Sequence, residues 1–286
     1  MIENISDTAR WVAVYRAMES ERPDALFRDK YARKLAGPRG EQIVKAMHRG
    51  RDAAWAMIVR TAVFDDIIMT MITEHGADMV VNLAAGLDTR PWRLSLPPTL
   101  RWADVDLPEI LVYKTESLTH EWPRCRYEAL PADLTNEATR RALFTRLAAE
   151  GKKILVITEG LLIYLTATQV GEIARDLARQ PSMHWWLTDI ANPRLLAWMK
   201  RSWGKTLEKG NAPFLFAPEE GSAFFHKFGW KEHTFRSTML ESRRLKREMR
   251  GAWLWRIVER FVPAKRREEM RRMAGILLLE RADTSD

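Results

Sequence analysis

Residues 79–90 read MVVNLAAGLDTR, an apolar run followed by a turn of small residues. An acidic residue, Asp106, lies twenty positions after Gly86, at the end of a second apolar run. Small residues let a backbone approach a ligand closely, and a carboxylate at a strand end can accept hydrogen bonds from both hydroxyls of a ribose. The stretch therefore indicates a nucleotide site, although small residues after a strand are more often only a strand-to-helix connection.

The composition is that of a folded, globular protein. The chain has 286 residues, of which 46% are hydrophobic, enough for one large domain with a sizeable core. Because no run of about eighteen apolar residues and no signal-peptide pattern occurs, we expect a soluble, cytoplasmic chain without stable membrane association. The single cysteine, Cys125, excludes an intrachain disulfide, and the spacing of the six histidines predicts no metal site.

The net charge of +8 is concentrated in one segment. Residues 236–272 contain thirteen Arg and Lys against five Glu, so the rest of the chain is neutral. Basic residues interleaved with Trp253, Trp255 and Phe261 are suited to phosphate contact and base stacking. The glutamates can pair with the basic residues locally, however, and a solvated helical surface is the more usual explanation. We therefore expect no nucleic-acid partner.

Hydrophobic periodicity predicts helices followed by an alternating α/β pattern. Helices are expected at 7–18, 24–35 and 41–75, the last broken near Gly50. Strands are predicted at 79–83, 100–105, 127–130, 154–158, 183–188, 230–235 and 275–280. Several of these are continuous apolar runs, typical of strands covered by helices on both faces. The fold class is therefore predicted to be α/β, with a doubly wound, mostly parallel seven-stranded sheet.

The alternation divides the chain into parts of a single domain, 1–286. We predict an N-terminal helical cap (1–75), a cofactor-binding core (76–190), a substrate lid with basic helical insertions around one strand (191–272), and a last strand with a tail (273–286). Within the third part, 192–228 and 236–272 do not fit the alternation, and long insertions of this kind usually cover a substrate. An apolar stripe for helix packing is predicted from Trp253, Trp255, Ile257, Val258 and Phe261.

Three carboxylates follow successive predicted strands. Asp106, Asp133 and Glu159 each stand directly after an apolar run or within a few residues of its end. Ligands of open parallel sheets bind at the carboxyl ends of the strands. A single such residue is more often a helix N-cap, but three in succession favour a binding site.

The same residues carry a family resemblance. They resemble the leucine carboxyl methyltransferase-like branch of the class I S-adenosylmethionine-dependent methyltransferases, which includes polyketide carboxyl O-methyltransferases. The matching segments are 82–94, 104–109 and 159–165, with further similarity at 8–17, 29–32 and 60–66. The resemblance covers 5–190 and the final strand, and implies a Rossmann-like fold with S-adenosylmethionine as cofactor.

The resemblance implies four cofactor-binding positions in the turn after the first predicted strand and at the end of the second. Ala84 and Gly86 belong to the turn that would pass under the methionine part. Asp106 would hold the ribose hydroxyls, and Leu107 would lie against the adenine.

The resemblance implies four further positions around the adenine and the amino-acid part. Asp133 would accept a hydrogen bond from the adenine amino group, and Leu134 would flank the ring. Glu159 would face the cofactor's ammonium group, and Arg60 is the candidate partner of its carboxylate, which a guanidinium can bind with two hydrogen bonds. Without the resemblance, a solvated helix face would be the more usual place for Arg60.

Two positions depart from the family pattern. Relatives commonly have Gly in place of Ala84 and Pro in place of Lys30. An alanine is accommodated in such a turn when its φ is negative, so the loop geometry is left open at Ala84. Lys30 replaces only a presumed helix-start proline.

The expected reaction is in-line methyl transfer to an oxygen of a small molecule. The acceptor oxygen must be held behind the methyl carbon in a dry pocket. A carboxylate acceptor needs no base, whereas a hydroxyl acceptor would benefit from one. Tyr164 is a candidate for orienting the substrate, although packing is the commoner role of such a tyrosine, and His184 and His226 are weaker candidates.

Two other functions stay open on the sequence alone. A strand, a small-residue turn and a distant carboxylate also describe a nicotinamide-dependent oxidoreductase, which would leave Glu159 and Arg60 unexplained. A methyltransferase could alternatively act on nucleic acid through 236–272. No oligomeric state is predicted.

Overall fold

A seven-stranded sheet organises the chain in the computed structural model, which describes residues 6–46, 50–209, 212–249, 251–259 and 262–282. The strands are β1 (Met79–Leu83), β2 (Arg101–Asp106), β3 (Arg126–Pro131), β4 (Ile154–Thr158), β5 (Met183–Ala191), β6 (Trp230–Ser237) and β7 (Ala274–Arg281). Their spatial order is β3-β2-β1-β4-β5-β7-β6. The pairs from β3 to β5 are parallel, and β7 runs antiparallel to both of its neighbours. The predicted fold class is confirmed, and each predicted strand lies within three residues of the observed bounds.

Helices cover both faces of the sheet. They are α1 (Ser6–Ser20), α2 (Ala32–Ala46), α3 (Ala54–Thr73), α4 (Arg90–Arg93), α5 (Pro108–Ser117), α6 (Glu137–Ala148), α7 (Ala167–Ala178), α8 (Pro193–Lys209), α9 (Thr238–Arg244), α10 (Ala252–Glu259) and α11 (Ala264–Arg271). Every residue of β1 and β4 is buried, which explains why both strands are apolar throughout. Among the described helices, none is both long and apolar enough to cross a membrane.

The N-terminal helices differ from the prediction in one place. The helix predicted at 24–35 is wrong, because the chain turns there and α2 begins only at Ala32. The reason is Asp29, whose Oδ1 accepts the backbone N–H groups of Tyr31 and Ala32, both at 3.1 Å, and so caps the helix start. The break predicted near Gly50 falls between α2 and α3, where a short 3₁₀ turn (Gly50–Ala53) precedes α3 and residues 47–49 lie outside the described chain.

The two segments that do not fit the alternation, 192–228 and 236–272, are called the late segments below, and both contain helices. Residues 192–228 include α8 and a 3₁₀ helix (Gly221–Phe228), and α9, α10 and α11 follow β6. The predicted packing role of Trp253 is wrong, because its side chain is 62% exposed. The other four side chains of the predicted stripe lie outside the described part of the chain.

A buried ion pair holds α5 against β2. Lys114 Nζ donates to Asp104 Oδ2 at 2.5 Å, and both side chains are fully buried. The indole Nε1 of Trp102 donates to the other carboxylate oxygen at 2.8 Å. Burial raises the pKa of Asp104, against the opposing effect of Lys114. The carboxylate depends on these two donors because its side chain has no exposed surface.

Replacement of Lys114 by Met tests this dependence. We expect Lys114→Met to lower the free energy of unfolding by about 3–5 kcal/mol, because it leaves a buried carboxylate without its counter-ion. Urea denaturation measures the change. Lys30→Met is the matched control, since Lys30 forms an exposed pair with Glu121 at 3.0 Å and its loss should change stability little. If both substitutions lowered the free energy of unfolding equally, Asp104 would not depend on Lys114.

Candidate active site

One large cavity lies at the carboxyl ends of the parallel strands. Its volume is about 1280 Å³, and its wall includes residues from α1, α3, α8 and α9, from the loops that follow β1 to β4 and from the end of β5. The eight predicted cofactor residues and Tyr164 all line it, namely Arg60, Ala84, Gly86, Asp106, Leu107, Asp133, Leu134, Glu159 and Tyr164. His184 and His226 are not among the lining residues, so the structure does not bring them to the site.

The turn after β1 has an unusual backbone. Gly86 has φ +50, and a Cβ added there would lie 3.1 Å from Cβ of Ala9, so the position suits glycine. Ala84 has φ +53, in the left-handed region that costs an L-residue about 1–2 kcal/mol. The negative φ that would accommodate an alanine is therefore not adopted. The turn keeps this shape because the Ala85 N–H donates to the carbonyl of Val105 at 3.2 Å.

Asp106 closes the same turn from the end of β2. Its Oδ2 accepts the N–H of Gly86 at 2.6 Å, and its Oδ1 accepts the N–H of Leu107 at 2.7 Å. Burial raises the pKa of Asp106, and the two N–H donors oppose that rise. Each carboxylate oxygen retains a second lone pair, so the group can accept two further hydrogen bonds.

The loop after β3 forms the next part of the wall. Asp133 is exposed, and its Oδ1 accepts from the backbone N–H and the hydroxyl of Thr135 at 2.8 and 2.6 Å. The carbonyl of Leu134 accepts from Arg140 at 2.9 Å. These bonds fix the loop, and Asp133 Oδ2 has no hydrogen bond within the described part of the chain.

Arg60 joins the ends of β4 and β5. Its Nε donates to Glu159 Oε1 at 3.0 Å and its Nη1 donates to Asp189 Oδ2 at 3.1 Å. The Arg60 side chain is only 12% exposed, so the alternative place on a solvated helix face is wrong. Burial alone would raise the pKa of Glu159, but the adjacent guanidiniums of Arg90 and Arg60 hold it below its usual value.

A second cluster of charges lies beside the first. Arg90 is bound to Asp65 of α3 at 2.7 Å, to Asp88 of the turn at 2.7 Å and to Glu159 at 2.8 Å. Arg93 binds the same Asp65 with two hydrogen bonds of 2.6 and 2.7 Å. Arg90 and Asp88 belong to the opening motif, but the sequence assigned them no role.

Asp189 is a site residue that the sequence analysis missed. Besides Arg60, it binds the backbone N–H of Gly160 through Oδ1 at 2.6 Å. The sequence did contain a signal for it, namely a carboxylate directly after a predicted strand. This signal was used for Asp106 and Glu159, and Asp189 directly follows the β-rich run at 183–188.

Tyr164 lies in a 3₁₀ helix (Leu162–Tyr164) at the cavity wall. Its ring centroid is 5.6 Å from that of Phe214. Burial raises the pKa of Tyr164 to about 12, so the phenol is neutral at physiological pH. It can therefore donate or accept a hydrogen bond in the cavity but is not a ready base.

The late segments supply an apolar wall. The side chains that they contribute include Leu195, Trp198, Met199, Phe214, Leu215, Phe216, Met239, Met249, Met270 and Met273. The cavity thus combines a charged part at the ends of β1, β2 and β4 with an apolar part from 192–228 and 236–273.

Comparison with known families identifies the chain. The model of the leucine carboxyl methyltransferase family matches residues 9–178, more than half of the sequence. The chain belongs to this family. The predicted resemblance is therefore confirmed.

Relatives of this leucine carboxyl methyltransferase family member carry related names. A candidate S-adenosyl-L-methionine-dependent methyltransferase of Parafrankia sp. is 35% identical over 185 residues, covering 61% of this chain and 59% of the relative. A protein of the same description from Streptomyces coelicolor is 36% identical, covering 60% of this chain and 64% of the relative. The chain thus spans about three fifths of the length of these relatives.

Solved structures share the fold. A DUF574 family protein from Streptomyces avermitilis superposes with a TM-score of 0.59 at 12% identity, covering 96% of this chain and 97% of that one. A candidate methyltransferase from Thermobifida fusca gives a TM-score of 0.59 at 15% identity, with 98% and 96% covered. The fold of this family member is therefore that of class I methyltransferases.

The left-handed conformation of Ala84 has a measurable consequence. We expect Ala84→Gly to raise the free energy of unfolding by about 0.5–1 kcal/mol, because relief of the left-handed strain exceeds the entropy cost of glycine. Thermal and urea denaturation measure the change. Ala85→Gly is the control: Ala85 is buried and has a negative φ, so the same substitution one residue later should destabilise the protein. A destabilised Ala84→Gly variant would contradict the backbone assignment.

Proposed function

We propose that this protein is an S-adenosylmethionine-dependent O-methyltransferase that acts on a carboxylate or hydroxyl oxygen of a small molecule. The observation that carries the proposal is the joint placement of Asp106 and the group Arg60–Glu159–Asp189 around one cavity. Asp106 matches the ribose of the cofactor, and the other three side chains match its amino-acid part. The family match supports the same reading.

Asp106 fits the ribose. Its two carboxylate oxygens each have a lone pair left after binding Gly86 and Leu107, and two neighbouring hydroxyls are donors of matching number. The turn at Gly86 leaves the backbone without a side chain at the point where a ligand would approach it.

The group formed by Arg60, Glu159 and Asp189 fits a zwitterion. Arg60 uses Nε and Nη1 for the two carboxylates, so Nη2 keeps its donors for the carboxylate of a bound amino acid. The two acidic side chains offer acceptors to an ammonium group. Gly160 makes room for the guanidinium, because a Cβ there would lie 3.1 Å from Arg60 Nη1.

The chemistry requires little of the protein beyond positioning. S-adenosylmethionine, when bound, supplies an electrophilic methyl carbon whose bond to sulfur breaks as the bond to oxygen forms. The apolar wall of the cavity would keep water from the acceptor, and the neutral phenol of Tyr164, which lines the same cavity, is the candidate group to hydrogen-bond to it. A carboxylate acceptor needs no base, which is consistent with the absence of His184 and His226 from the cavity wall.

The basic segment supports a small-molecule acceptor over nucleic acid. Arg236 pairs with Glu241 at 2.9 Å, Arg243 pairs with Glu259 at 2.7 Å, and Arg247 pairs with Glu19 at 2.8 Å. These arginines are neutralised locally. Glu241 and Glu259 are already counted in the excess of +8, so these pairs reduce the availability of three arginines for phosphate contact and not the excess itself.

Binding of S-adenosylhomocysteine tests the proposal directly. We expect saturable binding by calorimetry and no heat with NADH. Asp106→Ala should weaken the affinity about ten- to a hundredfold, because two hydrogen bonds to a charged group are lost.

Asp78→Ala is the matched control for this substitution. Asp78 also accepts backbone N–H groups from two residues, Lys152 and Lys153, but it precedes β1 at the opposite edge of the sheet. Its removal should leave the affinity unchanged. Binding of NADH in place of S-adenosylhomocysteine would overturn the proposal.

A pair of glycine substitutions tests the role of Arg60. Gly160 and Gly221 both have positive φ, +68 and +60, but only Gly160 has a neighbour within 4 Å of an added Cβ. Both alanine variants should lose about 1–2 kcal/mol of stability from the backbone. Only Gly160→Ala should also displace the Arg60 guanidinium and lower the S-adenosylhomocysteine affinity about tenfold. Equal affinities of the two variants would exclude Arg60 from the cofactor site.

A further inference from the structure

Arg194 differs from every other arginine at the cavity. The paired guanidiniums are those of Arg16 with Asp29, Arg60 with Glu159 and Asp189, Arg90 with Asp65, Asp88 and Glu159, Arg93 with Asp65, Arg140 with Asp176, and Arg243 with Glu248 and Glu259. In the described chain, Arg194 alone of these lining arginines has no hydrogen-bond or ion-pair partner. Its side chain is exposed, so it stays charged without a counter-ion at low cost.

Arg194 lies on the side of the cavity away from Asp106. It is the second residue of α8, which begins two residues after β5 ends. In the sheet, β5 is separated from β2 by β4 and β1. Arg194 therefore lies beyond the predicted ribose site, next to the apolar wall from the late segments.

Apolar side chains share the cavity wall with Arg194. Leu195, Trp198 and Met199 share its helix, and all three line the cavity. Trp198 is 51% exposed, and two lining residues from the later segments, Leu215 and Met249, are 43% and 44% exposed. Exposed apolar side chains on the wall of one cavity suit an apolar ligand. The acidic groups nearest in sequence are engaged elsewhere, since Asp189 binds Arg60.

We propose that Arg194 is a specificity-determining residue that binds an anionic group of the methyl acceptor, whose apolar body lies against Trp198 and Met199. The acceptor class is then an apolar molecule with one acidic group. This inference rests on the proposed function, because it assigns the apolar part of the cavity to the acceptor. One guanidinium without a counter-ion on an apolar wall favours such a molecule over a neutral or a cationic one, because its hydrogen bonds are strongest to an anion.

Two fluorescent probes that differ by one charge test Arg194. 8-Anilinonaphthalene-1-sulfonate carries a sulfonate, and N-phenyl-1-naphthylamine has the same rings without it. Both are titrated in the presence of saturating S-adenosylhomocysteine, which confines them to the acceptor side. We expect Arg194→Gln to weaken the sulfonate probe about three- to tenfold and the neutral probe less than twofold. Arg194→Lys should recover part of the loss.

Arg201→Gln is the matched control, because Arg201 lies on α8, is exposed and does not line the cavity. It should leave both probes unchanged. An unchanged affinity of Arg194→Gln for the sulfonate probe, equal losses for both probes, or an equal loss in Arg201→Gln would each overturn the inference. If S-adenosylhomocysteine itself does not bind, the proposed function fails, and the same comparison without it still tests the anion contact of Arg194.

Discussion

The guanidinium of Arg90 is the contact on which the site depends. Its side chain is only 3% exposed, and it binds carboxylates from three elements, namely Asp65 of α3, Asp88 of the turn after β1, and Glu159 after β4. A buried charge that loses its partners costs several kcal/mol, so these elements are held in one arrangement. Burial alone would raise the pKa of Asp88, yet the surrounding cations lower it, which keeps the carboxylate charged. Arg60 extends the network to β5 through Asp189.

The sheet could be predicted from the sequence because its signal is local. A strand buried on both faces is apolar along its own length, as β1 and β4 show, so a short window of sequence contains the evidence. The charge network has no such signal, since Arg60 and Asp189 are 129 positions apart and Arg90 and Asp65 are 25 apart. The edge of the sheet where ligands bind was predictable from parallel strands, whereas the pairing of the charges required the tertiary structure.

The wrong helix prediction at 24–35 and the geometry that the sequence left open at Ala84 have the same origin. Asp29 lies before the start of α2 and not inside a helix, because its carboxylate also binds Arg16 at 2.9 Å and Thr89 at 2.7 Å. Both partners belong to other parts of the chain. Ala84 adopts a left-handed conformation where the next two residues, Ala85 and Gly86, are hydrogen-bonded to β2. In each case tertiary contacts prevail over a local backbone preference of about 1 kcal/mol, for helix at 24–31 and for negative φ at Ala84. Conflicts of this kind are expected at sites where geometry serves binding.

The charged part and the apolar part of the cavity differ in how well they tolerate substitution. The charged part consists of paired groups such as Arg90 and Asp65, so replacement of one residue leaves a buried partner uncompensated. The apolar part is rich in methionine, with Met199, Met239 and Met249 among its lining residues, and such flexible side chains adapt to substitution without a charge penalty. The family match ends at residue 178, before this apolar part begins. Physical constraint thus limits substitution in the charged part of the cavity and leaves the apolar part freer to change.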